Sequence, residues 1–499
     1  MLLTELLKAT TARRLEPEQI PYELIGSAEG VQLTTLTEDS RQVTHGTIFV
    51  AVRGVAVDGH NYIDKAIASG AKVVVTQERP EAPTPSVCYV LTPDSREMLG
   101  RMASAWHGHP SQSLRVVGVT GTNGKTTIAT LLYRLYMSAG YPTGLISTVR
   151  NYVGTEAIDT THTTPGALEL QALLARMRDA GCAFVFMEVS SHAVEQRRIA
   201  GLAFEGGVFT NLTRDHLDYH GTLKEYLYAK KRFFDLLPSE AFALSNADDR
   251  NGEVMLQNTL ARRKLYALNT LADFKGRILE QYADSTLLEL DGQEVSVRLV
   301  GAFNAYNLLA VYATAHLLGM PKDEILRYLS ALTSVDGRLE ALRSEKRGYT
   351  AFVDYAHTPD ALSNVLQTLD DLRQGARQRE ARIICVVGCG GDRDRGKRPL
   401  MAAEALRYAD YIILTSDNPR TEDPEAILDE MQAGVSEGDE YRTRRITDRA
   451  EAIREACSMA QPHDLVLIAG KGHETYQEIQ GVRHPFDDRE IIRQQFATE

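Results

Sequence analysis

Val119-Thr120-Gly121-Thr122-Asn123-Gly124-Lys125-Thr126-Thr127 joins the apolar run Arg115–Thr120 to a helix-forming stretch from Lys125 to about Ala139, closed by Gly140. Strand, glycine-rich turn and helix in that order make half of a βαβ unit. The glycines let the backbone wrap phosphate oxygens, and the helix N-terminus adds partial positive charge. Lys125 is placed to reach terminal phosphates, and the Thr126 hydroxyl to bind Mg²⁺. The ATP-binding segment predicted here runs through Gly121, Thr122, Asn123, Gly124, Lys125, Thr126 and Thr127. The strict GxxxxGK[ST] spacing needs glycine at position 119, where this chain has Val119 between Gly118 and Gly121. The competing reading is a glycine-rich turn with a surface lysine, but GKTT at a helix start directly after an apolar strand favours ATP.

Downstream, the pattern alternates regularly. Strands are predicted at Phe184–Val189, Ile383–Val387, Tyr411–Thr415 and Asp464–Ala469, and helices near Pro399–Tyr408, Pro424–Ala433 and Arg449–Ala460. Such alternation implies an α/β fold with a mostly parallel, doubly wound sheet, whose ligands sit in the loops after the strand C-termini. Gly388–Arg398, Asp417–Arg420 and Gly470–Glu474 are the polar loops of that kind. Upstream, short strands are predicted at Thr47–Val52 and Lys72–Val75, with a helix near Tyr62–Ser69. A further helix starts after the N-cap residue Asp94 and runs toward Trp106. His107-Gly108-His109-Pro110-Ser111 reads as a linker. The linker closes a first part at residue 111, and at roughly 150 residues per domain the length predicts about three domains.

Of the 499 residues, 43% are hydrophobic and 24% charged, an ordinary globular composition. The net charge of −12 disfavours nucleic acid as a partner and asks any anionic ligand to use a local basic site. No apolar run approaches the ~20 residues of a membrane span, and the N-terminus lacks the features of a signal peptide. Five cysteines without a CxxC pair fit a reducing cytoplasm rather than a disulfide framework or zinc ribbon.

Taken together, TGTNGKTT and six further segments are identified as those of a Mur ligase. They are Glu188-Val189-Ser190-Ser191-His192, the run Asn211–Gly221 (NLTRDHLDYHG), Asp354–Pro359 (DYAHTP), Gly388–Asp394 (GCGGDRD), Asp417-Asn418-Pro419-Arg420 and Gly470–Glu474 (GKGHE). The resemblance covers the whole chain. It implies a three-domain architecture: a smaller N-terminal α/β domain for a UDP-sugar (1–111), a central P-loop ATPase domain (112–335), and a doubly wound, Rossmann-like C-terminal domain for an incoming amino acid (336–499). The implied reaction uses ATP to phosphorylate a carboxylate; an amine attacks the acyl phosphate, and an amide forms. Mg²⁺ is the implied cofactor, ATP the co-substrate, and peptidoglycan precursor synthesis in the cytoplasm, by a monomer, the setting. Cell wall biogenesis, and through it cell shape and division, would depend on that synthesis.

The resemblance also assigns residues. Lys125, Glu188, His216 and Lys230 form the catalytic set, in which Thr126 and Glu188 hold one Mg²⁺. His216 and Lys230, the latter carbamylated to an anion, help hold a second. Glu188 as a satisfied buried acid, His216 as a structural histidine and Lys230 as one of two solvated helix lysines are the alternatives. Asn304, Asn307, Arg338 and Asp354 match nucleotide contacts. Ser40 and the backbone of residues 55–57 match uridine contacts, and His162, Thr163, Thr164, Ser190, Gln196 and Arg198 match contacts to the muramoyl peptide.

Arg393, Asp417, Asn418, Pro419, Arg420, Gly470 and Glu474 match contacts to the amino acid. A guanidinium can grip a carboxylate through two charge-assisted hydrogen bonds, so Arg420 suits the second carboxylate of meso-diaminopimelate and Asp417 its ammonium. The expected substrates are thus a UDP-N-acetylmuramoyl dipeptide, meso-diaminopimelate and ATP. The alternatives are L-lysine as the added amino acid, a folylpolyglutamate synthase, or a nucleotide-dependent binding protein on the same fold; taken alone, DNPR could be only an Asx–Pro turn.

Overall fold

The computed structural model describes residues 1–11, 21–54, 57–160, 163–213, 217–282, 285–375 and 380–499. Each part of the chain builds its own sheet. Glu23–Ile25, Cys88–Leu91, Val73–Thr76, Thr47–Val50 and Thr35–Thr37 form a five-stranded N-terminal sheet in that spatial order, parallel except for the first pair. The helix Ser95–Trp106 follows, its N-cap Asp94 accepting from the N–H groups of Arg96 and Glu97. The linker is anchored: Pro110 and Ser111 are buried, and Ser111 Oγ accepts from Ala203 N at 2.9 Å.

The central sheet has eleven strands, seven of them parallel. Across that parallel part the order is Thr143–Ile146, Phe184–Glu188, Arg115–Thr120, Gly206–Phe209, Phe242–Asn246, Arg262–Ala267 and Phe274–Gln281. Arg115–Thr120 lies mid-sheet and is buried from Val116 onward, as a strand covered on both faces must be. One face carries the helices Lys125–Ser138 and Ala302–Leu317; the other packs on residues of Ala167–Asp179 and Leu223–Asp235. The hairpin Asn151–Val153/Glu156–Ile158 and the antiparallel strands Thr286–Leu290 and Gln293–Val297 extend the sheet beyond what strand–helix alternation predicts. Asp291 and Gly292, both at positive φ, make the tight turn that closes the second hairpin.

The C-terminal sheet runs Glu340–Arg343, Thr350–Asp354, Leu465–Ala469, Ile383–Cys389, Tyr411–Ser416, Thr443–Arg445, with only the first pair antiparallel. Pro359–Gly375 and Lys397–Tyr408 cover one face, Arg449–Met459 and Asp488–Thr498 the other. The observed helices and strands here agree with the alternation within about two residues at each end, the margin by which such boundaries normally differ. No helix among the described residues is long and apolar enough to cross a membrane. The apolar run after Leu308 belongs instead to the buried helix Ala302–Leu317.

Candidate active site

The loop between Thr120 and Lys125 can exist only with glycine at two places. Gly121 has φ +148, and a Cβ there would lie 1.8 Å from Thr210 Oγ1. Gly124, at φ +88, caps the following helix without a side-chain hydrogen bond, so no N-cap side chain takes the first-turn N–H groups. The loop is tied to the next parallel strand end: Thr210 Oγ1 donates to Asn123 O at 2.6 Å, and Asn123 N donates to Asn211 Oδ1 at 2.9 Å. Lys125 curls back, its Nζ donating to Gly121 O at 2.9 Å and Thr122 O at 2.7 Å.

Beside the loop, Glu188 ends its strand fully buried. Its Oε2 accepts from Thr126 Oγ1 at 2.9 Å and its Oε1 from Thr148 N at 2.7 Å. A hydroxyl and a carboxylate this close form a hard-oxygen donor pair suited to Mg²⁺, which keeps waters and substrate phosphates as its other ligands. Lys230 is 1% exposed; its Nζ donates to Gly121 O at 2.8 Å and lies 4.4 Å from the Tyr226 ring centroid. A buried amine against the phosphate loop is unlike a solvated helix lysine. His216 and His162, like residues 55 and 56, lie outside the described residues.

Residues of the C-terminal part reach the same loop. Arg338 Nη2 donates to Thr126 Oγ1 at 3.1 Å, and its guanidinium sits 4.7 Å over the Tyr355 ring. Asp354 supports that arrangement from beneath: it accepts from Leu339 N at 2.6 Å and Ala356 N at 2.8 Å, and burial pushes its carboxyl up despite Arg338. Asn304 and Asn307 are buried together, Asn307 Nδ2 donating to Asn304 Oδ1 at 3.1 Å. Asn307 also faces the loop, for a Cβ on Gly124 would come within 2.6 Å of its Oδ1.

The muramoyl-peptide candidates form a second chain of contacts leaving Glu188. Thr164 Oγ1 donates to Glu188 O at 2.9 Å and accepts from Ser190 N at 3.3 Å, while Thr148 Oγ1 donates to Thr163 Oγ1 at 3.0 Å. Arg198 donates to Thr164 O at 2.7 Å and to Gln196 Oε1 at 2.8 Å. Ser40 opens a short 3₁₀ turn capped by Asp39. Its neighbour Glu38 has a carboxyl raised by burial, with Arg96 and Arg198 opposing the shift, so the N-terminal loop faces the Arg198 region.

The amino-acid candidates line a cavity of about 650 Å³. Arg393, Asp417, Asn418, Arg420, Gly470 and Glu474 contribute to it, as do Tyr355 and, from the short helix Ser191–Glu195 of the central part, His192. Pro419 is not among the lining residues; its carbonyl packs on Gly391, where a Cβ would lie 2.0 Å away. Arg420, at φ +50, donates from Nη1 to Gly391 O at 2.7 Å. Asn418 Nδ2 donates to Glu474 Oε2 at 2.8 Å. Burial, with Asp417 nearby, raises the Glu474 carboxyl; in Asp417 burial is outweighed by Lys471 and Arg449, and its carboxyl is lowered. Gly470 needs its missing side chain, since a Cβ would stand 2.5 Å from Asp417 Oδ2. His192, Tyr355, His357, Asp360 and Lys397 also line the cavity, although the motif readings gave them no role. All fall inside or next to segments singled out above, and that proximity is the one signal that could have found them.

The cavity and the phosphate loop are neighbours. Tyr355 lines the first and carries Arg338 of the second, and Asn123 Nδ2 lies 3.5 Å from Oδ2 of Asp360, another lining residue. The arrangement can hold a phosphorylated carboxylate at one end and an amine at the other.

Family descriptions match three stretches: "Mur ligase family, catalytic domain" residues 32–107, "Mur ligase middle domain" residues 119–315, and "Mur ligase, glutamate ligase domain" residues 337–472. UDP-N-acetylmuramoyl-L-alanyl-D-glutamate--2,6-diaminopimelate ligase of Parabacteroides distasonis is 56% identical over 95% of this chain and 97% of its own. The protein of the same name from Bacteroides thetaiotaomicron is 50% identical over 99% of this chain and 100% of its own. A solved structure of a ligase so named superposes with a TM-score of 0.66 at 36% identity, covering 93% of this chain and 95% of its own.

Proposed function

Because the chain belongs to the Mur ligase family, we propose that it is an ATP-dependent amide-forming ligase adding meso-diaminopimelate to UDP-N-acetylmuramoyl-L-alanyl-D-glutamate during peptidoglycan precursor synthesis. One observation carries the choice of amino acid: a single cavity joins the Arg420 guanidinium to the Asp417 and Glu474 carboxylates. A diamino diacid offers a carboxylate and an ammonium at its far end to meet them; lysine offers only the ammonium.

The nucleotide would lie along Gly121–Thr127, with Lys125 swinging off its own loop carbonyls toward the terminal phosphates and Arg338 joining it from the C-terminal part. Thr126 and Glu188 would hold Mg²⁺, with His216 and Lys230 as a carbamate holding a second ion; bound metal would neutralise phosphate charge. Arg198, Thr164 and Ser190 would orient the dipeptide so that its terminal carboxylate meets the γ-phosphate. The amino acid would then present its amine to the acyl phosphate, and the amide would form as inorganic phosphate leaves. The proposed functional parts are 1–111 for the UDP-sugar, 112–335 for ATP and 336–499 for the amino acid. The enzyme would act as a monomer in the cytoplasm, a setting that five cysteines without a CxxC pair fit.

Phosphate release tests this reading. It should require both the UDP-muramoyl dipeptide and an amino acid, and a panel of amino acids should show meso-diaminopimelate used far better than L-lysine. Turnover indifferent to both would favour a nucleotide-dependent binding protein, and preference for lysine would reassign the substrate.

A further inference from the structure

Lys471 lies behind the amino-acid cavity rather than in its wall. Its side chain is fully buried, and it is absent from the residues that line the cavity. Nζ donates to Asn418 Oδ1 at 2.9 Å and to Glu474 Oε2 at 3.2 Å, and stands 5.6 Å from the Tyr476 ring centroid. Asn418 Oδ1 also accepts from Glu478 N at 2.9 Å. With two donors on its oxygen, the amide can take only one orientation, because a flip would turn its NH₂ toward an ammonium and an N–H. In that orientation Nδ2 gives one hydrogen to Glu474.

The electrostatics make the same demand. Asp417 is 8% exposed and the Glu474 side chain 16%, both on one cavity wall. Two carboxylates withdrawn from water need a compensating cation close by. Arg449, which also acts on Asp417, is bonded to Asp488 at 2.7 Å and to the carbonyl of Ala469, so its hydrogen bonds go elsewhere. Lys471 is the cation in hydrogen-bond contact with the Asn418–Glu474 pair.

We propose that Lys471 is a positioning residue for amino-acid selection: it locks the Asn418 amide and supplies the charge that lets Asp417 and Glu474 stand side by side, ready for the far ammonium of a diamino acid. The proposal rests on the ligase reading above and names a determinant of its specificity that touches no substrate.

The test is a KM split in the full-length enzyme. Lys471→Met should raise KM for meso-diaminopimelate at least thirtyfold while KM for ATP and for the UDP-muramoyl dipeptide stays within threefold. An unchanged KM for the amino acid, or an equal rise for all three substrates, overturns the proposal. If Lys471→Met does not fold, Lys471→Met/Glu474→Gln removes one charge of each sign and leaves the net charge of the cluster unchanged. Its KM for the amino acid should then match that of Glu474→Gln alone, because the two residues act as one unit; a further multiplicative rise overturns the idea. Wild-type enzyme in the same assay separates the two readings. If it used L-lysine instead, the substrate assignment would fall, while the selective effect of Lys471 would still be read on lysine.

Discussion

The Thr126 hydroxyl donates to the Glu188 carboxylate at 2.9 Å, joining the first turn of the phosphate-loop helix to the end of the neighbouring parallel strand. Their strands pair in register, with Glu188 opposite Val119, so sheet geometry rather than a flexible loop sets this distance. Arg338 then reaches the same hydroxyl at 3.1 Å from a different sheet. Three separate stretches of chain thereby converge on one oxygen.

Glu188→Gln keeps the shape of that contact and removes its negative charge. Apparent Mg²⁺ affinity in the phosphate-release assay should fall by ~10- to 100-fold, the range seen when groups that hold or orient a metal are changed, with kcat falling alongside. Thermal stability should fall as well, by roughly 1–3 kcal/mol, since glutamine has one acceptor oxygen for two donors, Thr126 Oγ1 and Thr148 N, and its NH₂ must face one of them. A Mg²⁺ titration superimposable on that of the wild type would remove Glu188 from the metal site.

Gly121→Ala tests the loop itself. The new Cβ would stand 1.8 Å from Thr210 Oγ1, and φ +148 is a conformation other residues rarely adopt. Strain of roughly 1–3 kcal/mol is the usual cost of such a backbone position, and the loop would shift off its bond to Thr210. Calorimetry should show ATP-analogue binding weakened at least tenfold. Adding Thr210→Ala removes the clash but not the backbone strain, so affinity should recover only in part; full recovery would show that φ does not matter here.

How much of this was legible beforehand depended on whether the signal was local. The strand Arg115–Thr120, the helix from Lys125 and the C-terminal strand–helix alternation follow from runs of neighbouring residues, and the structure agrees with them closely. The hairpins at the edges of the central sheet did not stand out, because strands such as Asn151–Val153 and Glu156–Ile158 are three residues long and partly exposed. Asp291-Gly292, the turn pair of the other hairpin, was likewise not singled out, although both residues stand at positive φ. For the site, the motifs gave Thr126, Glu188, Arg338 and Arg420. Lys471 and Tyr355 were hidden in plain sight, since a buried lysine between two acids is a property of three loops meeting and no spacing within one loop announces it.

The Arg398 cluster gives a pH dependence. Its side chain is fully buried and bonds Glu422 at 2.8 Å and Glu430 at 2.8 Å, holding the loop that carries Arg393 against the helix Pro424–Gln432. The hydrogen bond from Arg398, with that from Asp392 N, holds the Glu422 carboxyl down to about 2 from an ordinary 4.5. A lowered folded-state value means stabilisation that is complete above pH 4.5 and lost as pH falls toward 2. Melting temperature measured from pH 6 downward should therefore drop more steeply below 4.5 in the wild type than in Glu422→Gln, which has no such proton to take up. Parallel curves would show that the acid limb of stability arises elsewhere.

Arg420→Lys separates charge from shape. Arg420 is held from both sides of its backbone, its N–H donating to Glu478 O at 3.0 Å and its carbonyl accepting from Gln480 N at 2.6 Å, with one guanidinium nitrogen anchored on Gly391 O at 2.7 Å. The anchor fixes the plane of the fork, and the remaining N–H groups are what a second carboxylate could take in pairs. Lysine preserves the positive charge but offers neither the plane nor the pair. KM for meso-diaminopimelate should rise by ~10- to 100-fold, the worth of one to two charge-assisted hydrogen bonds, with KM for ATP within threefold. Because L-lysine has no carboxylate for the fork, its poor turnover should change less, and the preference for the diacid should shrink. Equal losses with both amino acids would mean that Arg420 shapes the loop and does not read the substrate.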